Sequence, residues 1–132
     1  MKKNYDADYI KEDKSVQQTV NGISRFLILW IIREQGPIHG YRLLQELNDF
    51  FSILIGWGTI RKSSPSRVYP MLRRMENNGL IKGDTIVQDN KNVTYYEITD
   101  NGRHLLDYIQ HCYIITKNTP YGQELSKYLN EE

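Results

Sequence analysis

The apolar positions of this chain fall into helical stripes over most of its length and into short runs between turn residues near its middle. Residues 22–35 predict a first helix, with Asn21 as a candidate cap and Gly36-Pro37 as the stop. Phe26 to Ile32 is apolar nearly all round. A surface helix carries one apolar stripe, so this one needs cover on both sides, from its own domain and from a partner helix. Pro37-Ile38-His39 predicts a short strand, and a second helix follows over about 40–51 with Tyr41, Leu44, Leu47 and Phe51 facing inward. Ser64 and Pro65 then supply helix-start chemistry: a hydroxyl that can accept orphan backbone N–H groups, and a proline that lacks one of those donors. Val68, Leu72 and Met75 recur behind them on one face, predicting a helix over 64–78. Residues 80–88 and 93–99 read as two strands joined by Asp89-Asn90-Lys91-Asn92, residue types that suit a hairpin tip.

The last long helix is predicted over 100–118, ending at Thr119-Pro120. Leu105, Leu106, Tyr108, Ile109, Cys112, Tyr113 and Ile115 give it a wide apolar face with little domain left to cover, which suggests subunit contact. Residues 121–132, with Tyr121, Leu125, Tyr128 and Leu129, have the composition of a short docking helix. Two segments leave alternatives open. Residues 1–20 balance Lys2, Lys3, Lys11 and Lys14 against Asp6, Asp8, Glu12 and Asp13. They read as a disordered arm, as a short helix with Tyr5, Tyr9 and Ile10 on one face, or as an arm that reaches a partner subunit or DNA. Residues 52–63 mix Ile53, Leu54, Ile55, Trp57 and Ile60 with two glycines: a long hydrophobic loop tucked on the core, or a pocket wall or partner surface anchored by Trp57.

Charge changes the picture in one place. Between residues 61 and 82 stand Arg61, Lys62, Arg67, Arg73, Arg74 and Lys82 against Glu76 alone. Half a turn from the apolar stripe, the 64–78 helix presents Ser66, Arg67, Pro70, Arg73, Arg74 and Asn77, a face with guanidinium groups and no carboxylate; Glu76 lies off to the side. Such a face can fork to guanine or clamp phosphate, although a merely solvated basic face has the same look. Pro70 sits too deep for a first-turn proline; it removes one ladder bond.

Three blocks in order settle on a resemblance. Residues 28–47 contain Gly36, Pro37, His39, Gly40 and Tyr41; residues 64–81 contain Val68, Tyr69, Pro70, Leu72, Glu76, Gly79 and Leu80; residues 93–106 contain Tyr95, Tyr96, Thr99 and Gly102. Together, over roughly residues 23–115, they resemble the PadR family of winged-helix transcriptional regulators, whose own proline accounts for Pro70. The resemblance implies an α+β, mostly helical fold: an arm at 1–20, a winged helix-turn-helix over 21–99, and a C-terminal dimerisation helix and tail over 100–132. The chain departs from the family pattern at Ser66 and Arg67, where Gly and then Thr or Ser are usual after Ser-Pro, and its loop before the recognition helix is longer.

Composition bounds the rest. The 132 residues make one domain, and the formal net charge of +1 gives no global attraction to polyanions. Cys112 is the single cysteine, which excludes an internal disulfide and fits a reducing cytoplasm. No signal peptide is visible in the polar first twenty residues, and no apolar run is long enough to span a bilayer. No phosphate loop, carboxylate pair or nucleophile constellation marks an enzyme, and no cofactor is implied. His104, His111 and Cys112 invite a metal-sensor idea, but the histidines are two helical turns apart and Cys112 suits an apolar face. The expected function is a homodimeric repressor on a palindromic operator of double-stranded DNA. Expected DNA contacts are Ser64, Ser66, Arg67, Pro70, Arg73, Arg74, Asn77, Lys91 and Asn92. The expected dimer interface is Phe26, Trp30, Leu105, Tyr108, Ile109, Cys112 and Tyr113, and Trp30 or Trp57 are candidate contacts for a small aromatic effector. A winged-helix module that binds another protein is the alternative.

Overall fold

A computed structural model describes residues 6–131. Helix α1 spans Ala7–Glu12, with the Asp6 carboxylate accepting from the Tyr9 amide. After a single-residue break, α2 runs Lys14–Gln35, capped by Asp13 through the Val16 amide at 3.0 Å. The first core helix therefore starts well before residue 22, and Asn21 lies inside it instead of capping it. Aspartate capped the helix earlier, and nothing between Ser15 and Asn21 breaks it. Tyr5 lies outside the described residues.

Strand β1 (Ile38–His39) leads into α3 (Gly40–Phe50), then α4 (Ser52–Gly56) and α5 (Pro65–Asn77). Strands β2 (Ile81–Gln88) and β3 (Lys91–Ile98) form the wing hairpin, and α6 (Asp100–Lys117) and α7 (Pro120–Asn130) complete the chain. The sheet is antiparallel in the order β1-β3-β2, with Ile38 opposite Tyr96 and Ile81 opposite Ile98. One core lies between the sheet and the helices. Ile28 and Ile32 from α2, Leu43 and Leu47 from α3, Val68 and Leu72 from α5, and Ile81 are all essentially sealed from solvent.

Several expectations change. Tyr41 faces solvent, and Leu43 takes the inward position with Leu44 and Leu47. The buried stripe of α3 starts at Gly40, which has no side chain to reveal it. Residues 52–63 are not one long loop: α4 and a turn at Gly58 (φ 79°) occupy the first half. The second half is tied to α3, where Asn48 Oδ1 accepts from the Ser63 amide at 2.8 Å and Asn48 Nδ2 donates to the Ser63 carbonyl at 3.1 Å. The wing turn is tighter than four residues. Asp89 (φ 50°) and Asn90 (φ 63°) alone make it, in the pattern of a type I′ turn, and Lys91 and Asn92 already pair with Gln88 and Val87. Asp and Asn tolerate the left-handed region better than other side-chain-bearing residues.

Candidate nucleic-acid interface

Helix α5 is held from both ends. At its start the Ser64 hydroxyl does not cap; it pairs with the Ser66 hydroxyl at 2.9 Å, while the Ser64 carbonyl accepts from the Arg67 and Val68 amides. At its end Gly79 (φ 76°) closes a Schellman motif, with the Leu80 amide donating to the Met75 carbonyl at 2.9 Å and the Gly79 amide to the Glu76 carbonyl at 3.0 Å. Val68, Met71, Leu72 and Met75 bury the inner face, and Pro70 leaves the helix unbroken.

The outer face divides into two flanks. Arg73 lies on the wing side, in a groove it shares with Tyr69, Asn92, Thr94 and Tyr96. Arg67 and Arg74 lie on the other flank, towards α2 and the turn at Thr59–Arg61. Arg73 and Arg74 are exposed, and among the described residues neither is ion-paired. Arg67 is half-buried and donates to Asn21 Oδ1 of α2; burial lowers its pKa below the ordinary arginine value, from which it still stays charged. Ser64, Ser66 and Asn77 are exposed and Pro70 half-buried on the same helix, and Lys91 and Asn92 stand exposed at the wing's outer end.

The wing is pinned to α5 by a contact that sequence reading missed. Glu76 Oε2 accepts from the Gly83 amide at 3.0 Å, so the one carboxylate of a basic stretch ties the helix to β2. Its signals in the sequence are its isolation among cations and its place in the 64–81 block. On the hairpin the Thr85 and Thr94 hydroxyls pair at 2.8 Å, and Tyr95 donates to Gln88 at 3.0 Å. His39 serves the start of α3: its Nδ1 accepts from the Arg42 amide at 3.1 Å, and its ring meets Tyr95 edge-on at 5.5 Å. The Tyr96 phenol is pushed up from its usual pKa, by burial first and then by Glu76 and Tyr69, against the opposing pull of Arg73.

A family model for the PadR-like transcriptional regulators matches residues 28–108, more than half of the chain. The chain belongs to that family. PadR-like proteins are DNA-binding transcriptional regulators, and this chain is one of them, not an enzyme. Its fold is similar to a PadR-like transcriptional regulator from Bacillus cereus, at TM-score 0.63 and 25% identity over 87% of this chain and 99% of that one. It is also similar to a PadR family regulator from Eggerthella lenta, at TM-score 0.64 and 24% identity over 89% and 91%. A putative transcriptional regulator from Thermoplasma acidophilum aligns at TM-score 0.63 and 19% identity over 87% and 98%. No curated protein matches this chain. Beyond the PadR-like core, α1 and residues 14–27 of α2 precede the matched residues, and the second half of α6 and α7 follow them.

The remaining expected residues lie on α2, α4 and α6. Phe26 and Trp30 are exposed on α2, at 42% and 43%. On α6, Tyr108, Ile109 and Tyr113 are exposed, and Leu105 and Cys112 are half-buried. Trp57 is half-buried just past α4. Among the described residues no three His, Cys, Asp or Glu side chains gather as a metal site, and no helix is long and apolar enough to cross a membrane.

Proposed function

We propose that this PadR-like regulator is a homodimeric repressor that occupies a palindromic operator and blocks transcription by occlusion. Each subunit lays α5 in a major groove and rests the wing on the flanking backbone. The observation that carries this reading is the pair Arg73 and Arg74, exposed without carboxylate partners among the described residues on a helix whose wing is fixed by Glu76. Arg73 and Arg74 contact bases or phosphates, Arg67 joins them on release from Asn21, and Ser64, Ser66, Pro70 and Asn77 fit against the backbone. Lys91 and Asn92 bring a cation and an amide from the wing.

The dimer uses the apolar surface that one chain leaves open: Phe26 and Trp30 of α2 with Leu105, Tyr108, Ile109, Cys112 and Tyr113 of α6. Exposed apolar area on this scale is characteristic of a partner surface. A small aromatic effector binding beside Trp30 or Trp57 shifts the angle between the two recognition helices. Trp30→Ala with unchanged binding of every aromatic ligand found would remove that effector reading.

The test is retention of fragmented genomic DNA from the source organism by the purified protein, with an Arg73→Ala, Arg74→Ala double variant alongside. Sharp peaks sharing an inverted repeat, lost in the variant, are expected. Retention without peaks, or peaks unchanged in the variant, overturns the assignment of α5 contacts.

A further inference from the structure

A helix lying in a major groove about 12 Å wide fills it and has a sugar-phosphate wall on either side. The wing stands on one flank of α5, beside Arg73. The opposite flank borders on the turn at Thr59–Arg61 and on the N-terminal arm, which lies outside the family match. There Lys11 of α1 and Arg61 of the turn share one cleft with Ser66, Arg67, Pro70 and Arg74 of α5. Among the described residues no Asp or Glu lines it.

Lys11 and Arg61 stand on fixed supports. Gln17 Nε2 donates to the Lys11 carbonyl at 3.2 Å, which ties α1 back to α2 across the break at Asp13. Arg61 lies between two anchored residues. The buried Thr59 donates through its hydroxyl to the Leu54 carbonyl at 3.3 Å, and Ser63 is gripped by Asn48. A cation on such a support loses less conformational freedom on meeting an anion than one on a loose segment. Arg61 pairs with Glu12, and both side chains are more than half exposed, at 58% and 61%. So exposed an ion pair is weak, and exchanging its carboxylate for a phosphate costs little.

We propose that Lys11 and Arg61 grip phosphates of the DNA strand on the α2 side of α5, so that arm and turn act as a second wing and the duplex is held by both walls of the groove. This rests on the seating of α5 set out under the function above. Arg67 and Arg74 continue the same cationic track onto the helix itself. Phosphate contacts fix register and carry no sequence information, so the second grip adds affinity and salt dependence without changing which bases are read.

The test uses the full chain and a duplex carrying the strongest peak from the genomic retention, with the same duplex altered at one base pair of the repeat as reference. Each phosphate contact adds about 0.9 to the slope of logarithmic affinity on logarithmic salt, so Lys11→Gln with Arg61→Gln should flatten it by about 1.8. The affinity ratio of the two duplexes should not change. Arg61→Lys alone should keep the wild-type slope, because a point charge serves a phosphate. In hydroxyl-radical footprints the double variant should lose protection along one backbone wall and keep it on the wing side. The urea midpoint checks folding. If the double variant does not fold, Arg61→Gln alone, at an exposed position, carries the test with half the change in slope. An unchanged slope and footprint in a folded variant overturn the second grip. A changed ratio of the two duplexes assigns Lys11 or Arg61 to a base and overturns the phosphate contact. In both cases the seating of α5 stands if Arg73→Ala with Arg74→Ala still abolishes the peak. A wild-type chain that gives no peak overturns that seating, and the grip with it.

Discussion

Arg67 and Arg73 belong to one helix and one charge type, yet their surroundings differ. Arg73 is exposed beside the wing groove, and Arg67 is half-buried against Asn21. Arg73→Ala should weaken operator binding by about 1–3 kcal/mol if the side chain forks to guanine, read as a Kd ratio at fixed salt. Asn21→Ala, which frees Arg67, should leave that affinity equal or tighter. The cationic face was legible in the sequence because Arg67, Arg73 and Arg74 recur at helical spacing opposite the apolar stripe of Val68, Leu72 and Met75. Glu76 was not, because its partner is the Gly83 backbone amide, whose position only the folded hairpin defines. Tyr96 carries a pH signature. Its pKa is raised in the fold, so its contribution to stability is complete below the ordinary tyrosine value near 10 and is lost as pH rises through the higher folded value. Tyr96→Phe should flatten the alkaline fall in a denaturation series. A fall of unchanged steepness would assign it to other groups.

At the scale of elements, the helices that pack on the core followed from their stripes, and the errors came at silent or ambiguous positions. Gly40 hid the start of the α3 stripe. A Cβ there would lie 2.6 Å from the Tyr69 ring, so the residue that brings α3 against α5 is the one with no side chain to read. The early start of α2 was obscured because residues 14–21 are largely polar and the cap at Asp13 lies among other charges. The wing turn lacked the glycine that usually marks a two-residue hairpin, so Asp89-Asn90 could not be told from a longer loop. Gly102 is the element-scale residue most open to test. Its Cβ would meet the Leu80 carbonyl at 2.2 Å, where α6 leaves the wing. Gly102→Ala should destabilise the fold by about 1–3 kcal/mol, seen as a lower urea midpoint. A midpoint within error of wild type would mean that α6 can shift without loss.

For the whole molecule, the near-neutral net charge and the local cluster on α5 have a measurable consequence. Logarithmic affinity should fall linearly with logarithmic salt, with a slope set by the few phosphates engaged. A flat response would point instead to a protein target for the same face. The apolar surface of α6 and α7 was visible as an unusually wide stripe, but which part faces a second copy depends on geometry between chains that no single-chain pattern encodes. Ile109 is 37% exposed on that surface. Ile109→Asp should shift the sedimentation of the protein towards monomer and weaken operator binding with it, while an unchanged dimer would place the contact elsewhere on the chain.

The junction between wing and α6 sets one further consequence. The Thr99 hydroxyl donates to the Gly79 carbonyl at 2.6 Å and accepts from the Gly102 amide at 3.1 Å, and the Thr99 amide reaches the Leu80 carbonyl at 3.1 Å. The end of α5 and the root of α6 are thus fastened at the same few atoms. In the proposed dimer the protein would work as a calliper whose jaws are the two copies of α5 and whose rivet is Thr99. The distance such a dimer would measure along DNA is then set at the rivet, away from the residues proposed to read the bases. On the proposed contacts, changes at Arg73 or Arg74 would alter which sequence is gripped, whereas changes at Thr99 or Gly102 would alter how far apart two half-sites must stand.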